Sequence, residues 1–414
     1  MGKLTKKLLD IVNAGIHGKK VEILQGEELD WEYLLNELSV GKLEAVCYNA
    51  VKHLTEQEGM HTEFLQKWQQ RASYLGIKQL NAYIQLKDLL KEVKEEGIQL
   101  ILFKGAALAQ LYPEYLLRYS CDVDLLVKEE DRERTEQILK RKGYTKNMEH
   151  SKECVPVYVL PGSLIIELHT RLWEDYTGKR VQLLEKMDLT NPKKLLPMHA
   201  CELDFLTLGY TEHLIYQMYH IIKHFSFQGM DLRNFTDTAL YVNHYLAQID
   251  FTDFWKKMRE LDYEVFCYNL FCICIKYFEM SKEAISEAKV EHKLDEDALI
   301  EKLFSAGMLG LKNYETMVAS SIVYQTYYAN DSKAPSKTKI LKASLFPAAN
   351  DLSNKYSYAK KRHFLLPVAW CHRAWNHLIG MITQNGEAGM SEHIHMADKK
   401  FKILKELELM NKEE

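Results

Sequence analysis

The run Asp122-Val123-Asp124-Leu125-Leu126-Val127 sets two carboxylates two residues apart in an otherwise apolar stretch. On a β-strand, residues two apart project from one face, roughly 6–7 Å from each other. Asp122 and Asp124 would therefore face one cavity while Val123 and Leu125 enter a core. Carboxylates that close are costly unless cations lie between them. Hard oxygen ligands of this kind suit Mg²⁺, which commonly bridges protein carboxylates and substrate phosphates. Glu167 is a candidate third ligand, because in Leu164-Ile165-Ile166-Glu167-Leu168-His169 it is a lone acid inside an apolar strand, where unpaired charge is disfavoured. His169 shares the face of Glu167, either as a hydrogen-bonded structural histidine or as an aid to proton transfer. Upstream, Lys104-Gly105 stands at a strand-to-helix turn, where backbone N–H groups and a helix N-terminus favour phosphate. Arg118 adds positive charge beyond that helix, either as a phosphate contact or as a structural counter-ion of the aspartate pair.

The elements that must position these residues occupy a short part of the chain. Residues 98–103 form a β-type run before Lys104, and 106–112 form a helix that stops at Pro113. The spacing predicts a charged helix over 129–142, closed by Gly143. Strands over 157–160 and 164–169, joined by Pro161-Gly162-Ser163, read as a hairpin. On either side the pattern is helical. Leu65, Trp68, Ala72 and Leu75, then Leu80, Tyr83, Leu86, Leu90 and Val93, recur at intervals of three and four, and Gly97 is a natural stop. Later helices are expected over 206–225, 231–246, 251–280 and 295–328. The expected organisation is a helical region 1–95, an α/β core 96–175 and a helical region 176–414, an α+β fold.

Composition narrows the classes. The 414 residues include only 19 glycines and 8 prolines, about half the usual share of breakers. A hydrophobic content of 47% allows a sizeable core and excludes disorder, and the net charge of −4 gives no bulk attraction to nucleic acid. No apolar run approaches the roughly 20 residues that a bilayer requires. Asp10 and Asn13 interrupt any signal-peptide core, and eight cysteines in so long a chain do not make a disulfide framework. The expected setting is a reduced cytoplasm, without membrane partners.

Taken together, Phe103-Lys104-Gly105-Ala106-Ala107-Leu108, Arg118, Asp122-Val123-Asp124-Leu125-Leu126-Val127 and Ile166-Glu167-Leu168-His169 resemble the uncharacterised bacterial nucleotidyltransferase family of the DNA polymerase beta superfold. Leu345-Phe346-Pro347, Tyr356 and Leu365-Leu366-Pro367 are similar to that family's C-terminal region. The resemblance implies a small mixed-sheet core with Asp122, Asp124 and Glu167 as metal-binding and catalytic carboxylates. It implies two Mg²⁺ ions, with Mn²⁺ as the alternative, and an NTP donor held by Lys104, Gly105 and Arg118. The superfold usually has Gly-Ser in the phosphate turn, whereas here Lys104-Gly105 precedes Ala106-Ala107 and the hydroxyl is missing. Nucleotidyl transfer to the hydroxyl of an acceptor is the expected activity. The acceptor, be it a small molecule, peptide, protein or RNA end, is not written in the residues, nor is the oligomeric state. The alternative is a nucleotide-binding or partner-binding protein that has lost turnover.

Other clusters have plainer readings. His213, His220 and His224 form a row that helix packing explains better than zinc, and Cys267, Cys272 and Cys274 lack a second matching pair. Arg233 and Asp237, four apart, are expected to make an intrahelical ion pair. Residues 333–362 carry eight basic side chains and one acid, read as a solvated face, with anionic-acceptor binding as the alternative.

Overall fold

The computed structural model describes residues 1–310 apart from 25–26, 148–154, 174–178, 226–228 and 292, together with 323, 346, 352, 356, 358–359, 362–372, 375 and 390–410. Two compact units are distinguished. The first comprises Met1–His220 and Asp231–Asp297. Its N-terminal helices are α1 (Lys3–Ile16), α2 (Trp31–Val40), α3 (Glu44–Val51) and α4 (Thr62–Glu95). Gly15 lets α1 approach α3 closely, since a Cβ there would lie 3.0 Å from the Cα of Cys47. Trp68, fully buried, donates its indole N–H to the carbonyl of Glu44 at 2.7 Å and so ties α4 to α3. The two apolar runs before and after Gly76 form one helix, because an interior glycine costs only about 1 kcal/mol. That helix ends where expected: Gly97 has φ 71°, its N–H reaches Lys94 O, and the N–H of Ile98 reaches Val93 O.

The sheet is mixed. Its described strands are β1 (Leu100–Phe103), β2 (Asp122–Val127), β3 (Thr145–Lys146), β4 (Val157–Val159), β5 (Ile165–His169), β6 (Leu196–Ala200) and β7 (Leu203–Thr207), in the order β3-β4-β5-β2-β1-β7-β6. β2 is antiparallel to β1 and parallel to β5, and β4–β5 is the expected hairpin. One face of the sheet is a core. Leu100, Leu102, Val123, Leu125, Val127, Ile166 and Leu168 pack with Leu86, Leu89, Leu90 and Val93 of α4 and with Ile138 and Leu139 of α6 (Arg132–Arg141). The other face, by the two-residue alternation, carries Phe103, Asp124, Glu167 and His169.

The β6–β7 hairpin lies within the stretch expected to be largely helical. Its turn is Cys201-Glu202, both at positive φ (52° and 62°), as a tight hairpin of the primed type requires. Neither residue belongs to the Asn-Gly or Asp-Gly signature that marks such turns in sequence. The short α5 (Gly105–Ala109) and α7 (Lys179–Lys186) precede α8 (Tyr210–Phe225), α9 (Leu232–His244), α10 (Phe251–Glu260) and α11 (Glu264–Tyr277). The single helix expected over 251–280 is instead two, broken where Asp262 turns to φ 55°.

The second unit comprises Ile221–Met230 and Ala298–Glu414. Met230 bridges Leu309, and Gly229, at φ 80°, passes so close to Met308 that a Cβ would meet its carbonyl oxygen. α12 (Glu296–Ser305) ends before Gly307, short of the helix expected to run to 328; most of that run lies outside the described residues. α13 (Met390–Glu406) is tied to α12 by Lys302 Nζ and Glu406 Oε2 at 2.6 Å. Leu352, Tyr356, Ala359 and Ala369 form a small buried cluster. Of the basic stretch, the seven lysines lie outside the described residues, as do Leu345 and Pro347. No described helix is long and apolar enough to cross a membrane.

The core face makes a direct prediction. Leu125, fully buried in β2, should cost about 2–5 kcal/mol when replaced by alanine. Tyr74, 65% exposed on α4, should change stability by less than about 0.5 kcal/mol on the same replacement. Chemical denaturation of the two variants checks the contrast.

Candidate active site

Sheet register brings the acids together. Asp124 stands opposite Glu167 on the neighbouring parallel strand and opposite Phe103 on the other side. Side-chain direction follows from that register, so β1, β2 and β5 converge on one spot. Asp124 is 6% exposed. Its Oδ2 lies 2.8 Å from Lys104 Nζ, and its Oδ1 lies 3.1 Å from His169 Nε2. The same His169 nitrogen is 3.7 Å from Glu167 Oε2. Ligand atoms of Asp124, Glu167 and His169 all lie within 4.8 Å of one another.

Of the three expected acids, the structure thus groups Asp124 with Glu167 and adds His169. Asp122, half-buried at the first position of β2, lies opposite Ile165 and is not part of that group. Strand alternation still gives it the face of Asp124.

Lys104 is held by its backbone as much as by its charge. It has φ 60° and ψ −145°, a conformation costing of order 1–3 kcal/mol for a residue with a side chain. Its N–H points to His213 Nε2 at 3.3 Å, and its Nζ lies 3.3 Å from His220 Nδ1. The ammonium also sits over the rings of Phe103 and Tyr216, 5.9 and 5.6 Å from their centroids. The next residue, Gly105, has φ 43° and open space where a Cβ would be.

These contacts set the charge states. Burial pushes the Asp124 carboxyl upward, but the Lys104 charge and the His169 hydrogen bond outweigh it and hold the group well below the usual carboxylate range. Burial pulls His169 down, yet its hydrogen bonds to Asp124 and Glu167 prevail and raise it above its ordinary value. His213 has no such partner. Burial, with the Lys104 charge adding to it, lowers it to about 3, so its ring is neutral and Nε2 is free to accept the Lys104 N–H.

Arg118 is not the counter-ion of the aspartate pair. It is 3% exposed and makes a two-pronged pair with Asp237 of α9, Nε to Oδ1 at 2.8 Å and Nη2 to Oδ2 at 2.6 Å. Its Nη1 donates to Ser120 Oγ at 3.0 Å and to the carbonyl of Gly105 at 3.3 Å. Arg118 therefore neutralises Asp237, not the Asp122–Asp124 pair, and braces the turn at Gly105 from its buried side. Asp237 also accepts from Tyr112 Oη at 2.8 Å. The expected pairing of Arg233 with Asp237 is corrected: the Arg233 guanidinium donates to the carbonyl of Tyr119 at 2.8 Å.

His213 and His220, read in the sequence as part of a packing row, were not linked there to Lys104. Both lie on the face of α8 that Tyr216 shares, and the spacing 213, 216, 220 was the available signal. Nothing local linked that face to Lys104.

The donor set suits a divalent ion. Two carboxylates and an imidazole, with ligand atoms this close, are a group of the kind that holds a metal ion. Both oxygens of Asp124 are engaged, Oδ2 by the Lys104 ammonium and Oδ1 by His169.

Residues 27–279 match the model of a family described as uncharacterised nucleotidyltransferase. No curated protein matches the chain. Among solved structures it is similar to an antigenic nucleotidyltransferase-like protein from Paracoccidioides brasiliensis, at 16% identity and a TM-score of 0.31, over 50% of this chain and 96% of that one. It is also similar to a tRNA nucleotidyltransferase complexed with a primer tRNA and an incoming ATP analog, at 13% identity and a TM-score of 0.25, over 78% of this chain and 98% of that one.

Two predictions follow from the geometry. Arg118→Met leaves the buried Asp237 charge without its ion-pair partner, with the Tyr112 hydroxyl still bonded to it, and should cost about 3–5 kcal/mol, much of which Arg118→Met with Asp237→Leu should restore; urea titrations compare them. In chelator, the raised His169 value makes its contribution to stability fully present below the ordinary 6.5 and lost as pH rises through the higher folded value. Melting temperature measured from pH 5.5 upward should show that loss, and His169→Gln should flatten it.

Proposed function

Because the chain belongs to the uncharacterised nucleotidyltransferase family, we propose that it moves a nucleoside monophosphate from an NTP to a hydroxyl of an acceptor at the Asp124–Glu167 site. The observation that carries this reading is the register of Asp124 against Glu167, with Lys104 reaching in from the strand-to-helix turn. Asp122, Asp124 and Glu167 would hold the divalent ions. Mg²⁺, or Mn²⁺ in its place, would supply Lewis-acid neutralisation of phosphate charge and lower the pKa of the acceptor hydroxyl.

The chain's own groups do the rest. Lys104 and the open side of the Gly105 turn take the triphosphate, with Arg118 fixing that turn from behind through the Gly105 carbonyl. His169 keeps the Asp124 carboxylate in one orientation. Glu167, whose side chain is 37% exposed where that of Asp124 is 9%, is open to an incoming acceptor and would receive its proton. The acceptor oxygen bonds to the α-phosphorus, the bond to the β-phosphate oxygen breaks, and pyrophosphate leaves. Acceptor specificity we assign to the helical regions 1–95 and 176–414 that flank in sequence a core at 96–175, to which β6 and β7 add. A cytoplasmic setting is supported by the free cysteines among the described residues.

A second reading is favoured by one feature, the absent hydroxyl at Ala106-Ala107. On it, the protein binds nucleotide without turning it over.

Thermal stabilisation by ATP, GTP, CTP and UTP, each with Mg²⁺, checks the proposal. One of them should stabilise the protein by about 2.7 kcal/mol at 100 times its Kd. The Asp122→Asn, Asp124→Asn double variant should lose most of that response. With an acceptor in hand, Asp124→Asn should transfer nucleotide at least roughly 10–100-fold more slowly; transfer at the wild-type rate would sink the reading.

A further inference from the structure

We infer that Lys104 is a resident cation that holds the divalent-ion seat at Asp124 when nucleotide is absent, and that an ion gains the seat only as the ammonium leaves Asp124 Oδ2. The inference rests on the proposal that Asp124 is a metal ligand. It goes beyond it by making one side chain both a nucleotide contact and the competitor that sets metal affinity.

Four observations converge on the ammonium. It lies 2.8 Å from the most buried of the site's acids, with its own side chain only 15% exposed. His220 Nδ1 stands 3.3 Å away, and the rings of Phe103 and Tyr216 close two further sides. The backbone is held at φ 60°, an unfavourable value that the His213 acceptor helps to fix, so the side chain's aim is built into the turn. Finally, the other carboxylate oxygen of Asp124 is already taken by His169, which leaves Oδ2 as the oxygen an incoming ion would have to win.

A tethered cation competes with a dissolved one for the same oxygen. Breaking the ion pair without a substitute leaves a buried charge uncompensated, which is strongly unfavourable. A triphosphate removes that obstacle by offering the ammonium a second anion while the divalent ion takes its place on Asp124. Ion and nucleotide should then favour each other's binding, because the swap links them.

The test uses Mn²⁺ alone, without nucleotide, titrated into the full chain and followed by the electron paramagnetic resonance signal of free Mn²⁺. Lys104→Met should bind Mn²⁺ at least ten-fold more tightly than wild type. Asp124→Asn should bind it more weakly, and the double variant no more tightly than Asp124→Asn. Melting curves give an independent readout: Lys104→Met should melt lower in chelator and gain more from Mn²⁺ than wild type does. Lys104→Gln, which keeps a neutral polar group at the same place, serves as a second variant should methionine prevent folding. If both Lys104 variants bind Mn²⁺ no more tightly than wild type while Asp124→Asn loses it, the inference is wrong and the metal seat stands. If Asp124→Asn binds Mn²⁺ as wild type does, the seat itself is misplaced and the inference falls with it.

Discussion

Asp124 is an ionised carboxylate almost wholly removed from water, and the region around it is arranged to make that tolerable. A buried charge is stable only when opposite charge and hydrogen bonds replace its hydration. Lys104 and His169 supply both, one to each oxygen. Remove either partner and the remaining one must hold the full charge, so three segments far apart in sequence are bound to a common geometry. The strand β2 brings the acid, the strand β5 brings His169 two residues beyond Glu167, and the turn after β1 brings Lys104.

That requirement extends outward. Lys104 can reach Asp124 because its backbone accepts an unfavourable conformation, and α8 supports it with His213 on the backbone and His220 beside the ammonium. Burial keeps His213 neutral, which is the state in which it can accept that N–H. On the far side of the turn, Arg118 and Asp237 form a second buried pair, and Arg118 Nη1 holds the carbonyl of Gly105. The Lys104-Gly105 turn is thus gripped from both sides, with open space where a Gly105 Cβ would lie. Such rigidity is what preorganised electrostatic stabilisation demands of a site.

The strand positions of the acids were legible in the sequence because their signal is local. Period-two alternation put Asp122 and Asp124 on one face, and a lone glutamate in an apolar strand marked Glu167. The Gly97 stop and the β4–β5 hairpin were legible for the same reason, each having turn residues with a known preference. What escaped depends on distance along the chain. Arg118 meets Asp237 across 119 positions, and Lys104 meets His213 and His220 across 109 and 116, and no periodicity encodes such pairings. The β6–β7 hairpin escaped because Cys201 and Glu202 adopt left-handed backbone without the residues that advertise it, and the break between α10 and α11 hides in the same way at Asp262. His169 was placed on the right face, but its choice of Asp124 as well as Glu167 needed the parallel register of β2 and β5.

The most direct measurement is a crystal structure with Mn²⁺ and a non-hydrolysable NTP analogue, with anomalous scattering collected at the manganese edge. The expected result is a manganese peak bonded to carboxylate oxygens of Asp124 and Glu167, the triphosphate along the Lys104-Gly105 turn, and the Lys104 ammonium on phosphate. Manganese bound away from both acids, or an analogue lodged elsewhere in the chain, would contradict the account.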